Sequence, residues 1–276
     1  MVAEPSPRAS TPTLQATASN PRYRYRLRFH KGGALRLVSH HDLMHVWERM
    51  ARRARLAVAQ TQGFHPQPRM VFALSLALGI EGAREVLEME LTEALEPDVL
   101  HARLAAQAPP GLEIVNVHFL SGKSSPLVRR AFYRLALAGN MDGALPARCA
   151  ELLAQPHLWV ERDRPRPRRL DIRPYLNELS AQDGCLAMAV WVTPTGTARP
   201  EEFARLLGLD LAGKHFVRFD LEMMDEVSGE TPASVAVLKN PGIHEGADPG
   251  RPEPTRVPHG APRPTALISG PLSFDS

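Results

Sequence analysis

The sequence predicts an α+β fold of two tandem ferredoxin-like units, each β-α-β-β-α-β, between disordered N- and C-terminal tails. Three observations carry this. Alternation with a period of two opens each half, at Tyr23–Phe29 and again at Phe132–Ala138, and a helical stretch follows each time. A proline-initiated helix and a last strand close each half, Pro97 before Leu112–Leu120 and Pro200 before Phe216–Met223. The flanks, residues 1–21 and 227–276, are rich in proline and small or polar residues and lack apolar periodicity, so they bury too little surface to offset chain entropy.

The first unit is assigned to residues 22–120. In its opening strand Tyr23, Tyr25, Leu27 and Phe29 alternate with Arg24, Arg26 and Arg28, which predicts one packed face and one arginine face. Ser39 is placed to cap a helix, with Asp42 at capping-box spacing and Leu43, Val46, Trp47, Met50 and Ala54 on one side. Short strands are expected at Ala57–Thr61 and Met70–Leu74, then a strand at Glu85–Leu91. A helix from Pro97 to about Gln107 is stopped by Pro109-Pro110-Gly111, and Leu112–Leu120 follows as a strand.

Residues 121–130 read as a linker, and residues 131–226 as the second unit. There a helix is expected at Leu145–Leu153, with strands at Trp159–Glu161, Leu170–Ile172 and Leu186–Val192. Glu201 and Glu202 suit the positive end of a helix from Pro200 to Leu207.

Composition narrows the function. At 276 residues and 43% hydrophobic content the chain can bury a real core. Cys149 and Cys185 are too few and too far apart for a disulfide framework, a zinc ribbon or an iron–sulfur cluster. P-loop, dinucleotide-turn and nucleophile-elbow motifs are missing, which argues against nucleotide hydrolysis, dinucleotide redox chemistry and stand-alone radical chemistry. The longest nearly apolar run, Met70–Ile80, is shorter than a membrane span, and no secretion signal is evident, so a cytoplasmic location is expected. The net charge of +3 is modest, but basic stretches at 22–31, 49–55 and 162–173 and acidic ones at 81–98 and 220–230 suggest an electrostatically two-sided molecule.

Three clusters are candidates for function. In Gln62-Gly63-Phe64-His65-Pro66-Gln67-Pro68-Arg69 the prolines stiffen an extended loop, Gly63 permits an unusual backbone angle, and the polar side chains are then preorganised for binding. Phe64 either anchors a partner or covers an edge of the core. The second cluster is His40, His41, Asp42 and His45. His41 and His45 share a helical face, but nothing completes a metal set, so no metal and no cofactor are expected; His40 and Asp42 are the candidates for acid–base chemistry. Third, Arg24, Arg26 and Arg28 on an open sheet, with Arg166, Arg168 and Arg169, form a pattern suited to RNA.

The stretches Tyr25–Phe29, Leu35–Met44 and Gln62–Met70, with Leu78–Glu81, Asp171–Pro174 and Gly196–Pro200, resemble the radical SAM-linked protein family, a domain of unknown function. The resemblance spans residues 22–225. It implies an accessory or substrate-binding protein, not itself an enzyme, working with a separately encoded radical SAM enzyme in RNA-linked modification. His40 and Asp42 match its pattern, whereas His65 and Gln67 stand where the family has Asn and His, which moves the expected role of the loop from catalysis to shape. The binding surface so expected comprises His40, Asp42, Gln62, Gly63, Phe64, His65, Pro66, Pro68 and Arg69. A free-standing RNA-binding protein and a cryptic RNA-modifying enzyme using His40 or Asp42 are the alternatives.

Overall fold

The structure is a computed structural model that describes residues 21–122, 125–137, 143–163 and 166–226. The disorder expected for the two tails therefore falls, but for Pro21 at the border, outside the described residues.

The first half runs β1 (Tyr23–Lys31), α1 (His40–Arg53), β2 (Met70–Phe72), β3 (Glu81–Leu91), α2 (Pro97–Ala105) and β4 (Leu112–Leu120). The second runs β5 (Val128–Ala136), α3 (Leu145–Ala154), the hairpin β6 (Trp159–Arg162) and β7 (Arg168–Asp171), then β8 (Leu176–Gln182), β9 (Cys185–Trp191), α4 (Pro200–Leu206) and β10 (Phe216–Met223). One mixed, mostly antiparallel 8-stranded sheet joins both halves in the order β4-β1-β3-β10-β5-β9-β8, with β2 on β3 and the β6–β7 hairpin apart. Among the described residues no helix is long and apolar enough to cross a membrane.

Sequence explains most of these elements. The Ser39 hydroxyl accepts from the Asp42 N–H at 3.2 Å and donates to the Asp42 carboxylate at 2.6 Å, which starts α1. Arg55 takes a left-handed φ of 52° and the Leu56 N–H reaches the Ala51 carbonyl at 3.0 Å, which ends it. Between these ends α1 buries Leu43, Trp47 and Met50 against Tyr25, Leu27 and Phe29 of β1, with Trp47 edge-on to Phe29 at 5.0 Å. Such an aromatic pair adds about 1 kcal/mol beyond the area it buries. The second core forms where Ala131, Tyr133 and Leu135 of β5 meet Cys149 of α3, Phe203 of α4 and Leu207 at the end of α4.

The structure departs from expectation in four places. Ala57–Thr61 is not a strand; it makes only isolated bridges, Val58 to Leu91 and Gln60 to Pro68. The expected linker at 121–130 already contains the start of β5 at Val128. Strand β8 was hidden because a register irregularity between Leu176 and Glu178 breaks its period of two. The arginine face of β1 is not open: Arg24, Arg26 and Arg28 are only 9, 3 and 6% exposed.

The two halves meet along β3. One edge of β3 is taken by β1, and the other is divided between β2 at Leu87–Met89 and β10 at Glu81–Gly82, the latter pair parallel. At this seam Arg218 of β10, buried at 2% exposure, forms a two-pronged ion pair with Glu85 of β3 and donates to the carbonyls of Leu74 at 2.9 Å and Ser75 at 3.1 Å. Burial works against the Arg218 charge, but Glu85 and Tyr133 hold its pKa above the ordinary value. Gly82 is required here, because a Cβ at that position would overlap the Glu85 side chain.

A buried ion pair that loses one partner leaves the other charge unpaired. Glu85→Gln is expected to lower the unfolding free energy by about 3–5 kcal/mol, measured by urea denaturation. The apolar double variant Glu85→Leu with Arg218→Met should recover most of that loss.

Candidate functional site

The segment Gln62–Arg69 forms a finger held at its base by backbone pairing. The Thr61 N–H donates to the Gln67 carbonyl at 2.8 Å, the Gln67 N–H to the Thr61 hydroxyl at 2.9 Å, and the Arg69 N–H to the Ala59 carbonyl at 2.8 Å. Both arms are then tied to one residue of β3, since the Ala59 N–H reaches the Glu90 carbonyl and the Glu90 N–H reaches the Arg69 carbonyl. Everything from Gln62 to Gln67 is exposed, and Gly63 adopts a φ of 134° that favours glycine. Phe64 is fully exposed, so it does not cover the core. A fixed stem thus presents an uncovered aromatic ring.

Grooves flank the stem on two sides. One of about 540 Å³ is lined by Thr61, Pro68, Arg69 and Val71 of the finger side, by Arg22 just before β1 and by Glu90 of β3. There Arg22 and Arg69 reach the same oxygen, Oε2 of Glu90, at 3.4 and 3.6 Å. Two guanidinium groups at long distances from a single carboxylate keep donors available for an anion. The second groove, about 300 Å³, lies between Gln67, Pro68 and Gln60 of the finger and Glu48 and Arg52 of α1.

The other expected site residues are not drawn into this arrangement. Asp42 lies in the first turn of α1, hydrogen-bonded to the capping Ser39. His65 stands exposed on the finger, and His41 and His45 form an exposed edge-on pair at 4.5 Å. Among the described residues no three metal-ligating side chains cluster. His40 sits against Phe72 at 5.1 Å, ring edge to ring face, at the border of the Arg218 seam. Burial lowers its pKa, and the charges of Lys31 and Arg218 lower it further. Lys31, 0% exposed, donates to the Val38 carbonyl at 2.9 Å, and burial pushes its pKa down as well.

The arginines separate into two groups. Arg26 is clasped by Glu88, Asp225 and Glu226; Arg24 pairs with Glu88 at 2.7 Å; and Arg28 pairs with Asp220 and Glu226 at 2.8 and 2.6 Å. Their charge is committed inside the protein, which corrects the expectation of an open phosphate-binding face at these three positions. The same contacts interlock the basic stretch 22–31 with the acidic stretches 81–98 and 220–230, so these do not lie on opposite sides of the molecule. Arg166, Arg168 and Arg169 are exposed on the β6–β7 hairpin, where Arg169 lies 4.7 Å over the Trp159 ring.

Sequence reasoning missed the opposite side of β5. Arg130, Phe132 and Arg134 alternate with the buried Ala131, Tyr133 and Leu135, and they form a patch with Phe219 of β10 and Trp191 of β9. The alternation was visible; that two distant strands would lay aromatic rings beside it was not.

Residues 24–200 match a family described as an uncharacterized protein conserved in bacteria (DUF2344). No curated protein matches the chain. The crystal structure of an unknown protein from Galdieria sulphuraria is similar at 14% sequence identity over 74% of this chain and 99% of that chain, with a TM-score of 0.25. A likeness of that size carries neither fold nor function.

The seam makes stability depend on pH with a defined sign. The folded-state pKa of His40 lies below the ordinary 6.5, so its contribution is present above that value and is lost as pH falls toward the folded value. His40→Gln should flatten the loss of stability between about pH 7 and about pH 5, read from urea midpoints.

Proposed function

The chain belongs to this family of uncharacterised bacterial proteins, and from that premise we propose that it is a non-catalytic accessory protein that docks a partner through the Gln62–Arg69 finger. The partner is the separately encoded radical SAM enzyme that the sequence resemblance implies, met in the cytoplasm. The observation that carries this is the fully exposed Phe64 on a stem pinned to Glu90. An exposed phenylalanine is costly to leave in water, and a rigid stem spares the ordering entropy of binding. Arg69 and Arg22 in the adjoining groove suit an acidic group on the partner or on its substrate. Gln62, His65, Pro66 and Pro68 shape the contact around Phe64.

We read the architecture behind the finger as two ferredoxin-like units fused edge to edge. The strand orders β4-β1-β3-β2 and β10-β5-β9-β8 support this, since each places the fourth, first, third and second strand of a β-α-β-β-α-β unit side by side. The β6–β7 hairpin is then an insertion between the first helix and second strand of the second unit.

A cryptic enzyme using His40 or Asp42 has less support, because Asp42 is bonded to Ser39 and neither residue lines the grooves described. A free-standing RNA-binding role built on Arg24, Arg26 and Arg28 has lost its basis in their burial.

Co-expression of the tagged chain with the radical SAM protein encoded beside it is expected to yield a stable complex. Phe64→Ala should weaken that complex about 30-fold, the size of an interface hot spot, while leaving the melting temperature unchanged. Failure of the two proteins to associate, or undiminished association by the Phe64→Ala variant, would overturn the proposal.

A further inference from the structure

On the side of the sheet away from the helices, β5 presents Arg130, Phe132 and Arg134 between two neighbouring strands. Phe219 of β10 lies 5.8 Å from Phe132, and the Arg134 guanidinium sits flat over Phe219 at 4.0 Å. Arg130 lies 5.2 Å over Phe132 and 5.4 Å over Trp191 of β9, and Arg129 approaches the same indole at 5.4 Å. Opposite Phe132 and Arg134, β9 carries only the small side chains of Ala189 and Ala187. Phe132, Phe219 and Trp191 are all half-buried: seated firmly, with part of each ring in solvent. Arg134 is exposed, and no carboxylate among the described residues pairs with it.

We propose that this face of β10, β5 and β9 is a stacking surface for single-stranded RNA. Unpaired bases stack on aromatic rings and on guanidinium planes alike, with little dependence on sequence, and a sheet lays such groups at the spacing of its strands, about 5 Å. Bases in a duplex have no free faces to offer, so the surface selects single strands. Glu222 and Glu178 already hold Arg130, which leaves Arg134 as the group most available to a phosphate. Affinity should therefore come mainly from stacking, with a shallow salt dependence; each phosphate contact on a single strand contributes a slope of about 0.7 in log K against log salt. This inference goes beyond the accessory role and does not depend on what the finger meets.

The test is fluorescence anisotropy of the full chain with fluorescein-labelled oligouridine and oligoadenosine of about ten nucleotides, and with an RNA duplex of equal length. Wild type should bind both single strands more tightly than the duplex. Arg134→Glu and Trp191→Leu should each weaken binding about tenfold or more, and Phe64→Ala should leave it unchanged. Arg134 lies on the surface, so its variant reports on binding even where Trp191→Leu perturbs packing. Three results would overturn the inference: no binding at about 100 µM protein, equal binding to the duplex, or unchanged affinity in Arg134→Glu. In the last case, loss of binding on reversing Arg166, Arg168 and Arg169 would assign RNA to the β6–β7 hairpin instead.

Discussion

Arg218 carries a positive charge into the middle of the protein, at the point where two apolar cores would otherwise meet. Its partner Glu85 comes from the other half of the chain, and the carbonyls of Leu74 and Ser75 complete its coordination. A charge this deeply buried is tolerated only when nearly all of its donors are used, so the pair fixes the relative position of β3, β10 and the segment that follows the finger. Hydrophobic contact alone would not set that register, because apolar surfaces slide at little cost. The short parallel contact at Glu81 and Gly82 is consistent with this: backbone pairing there is brief, and the side-chain bonds do most of the holding.

A second ionic system works on the other side of the same sheet. Glu88 serves both Arg24 and Arg26, and the acidic residues just after β10 close over them. Together the two systems join the first half of the chain to the last strand on both faces, through β3 on one and β1 on the other. The sheet is thus continuous across a boundary that a chain of two units could have left as a hinge. The finger benefits directly, since its stem is tied to Glu90 on β3, the strand both systems hold. A docking element gains affinity from such preorganisation.

The two proposed functions fall on different surfaces. The finger offers one fully exposed ring on a fixed stem, which suits a partner with a matching pocket. The outer face of β5 offers several rings and guanidinium planes in a row, which suits a flexible polymer with repeating flat groups. An accessory protein acting between an enzyme and a nucleic acid would need both kinds of surface, and here they sit on different elements of one rigid sheet.

The sequence by itself determined what depends on neighbours along the chain. Ser39 and Asp42 set the start of α1, Pro97 and Pro200 set the starts of α2 and α4, Gly63 and the prolines shaped the finger, and alternation located β1, β3 and β5. Strand β8 escaped because a register irregularity shifts its phase, and Ala57–Thr61 was misread because a polar hairpin arm can carry strand-like residues without a ladder. Only the tertiary structure decided the fate of the charges. Alternating arginines on β1 look the same in sequence whether solvent or carboxylates cover them, and the covering residues Asp220, Asp225 and Glu226 lie 192 to 200 residues further along the chain. The same limit applies to Phe132, Trp191 and Phe219, which become one surface only when β9 and β10 flank β5. Burial and juxtaposition are properties of strand order, and strand order is set by long-range pairing that no local pattern records.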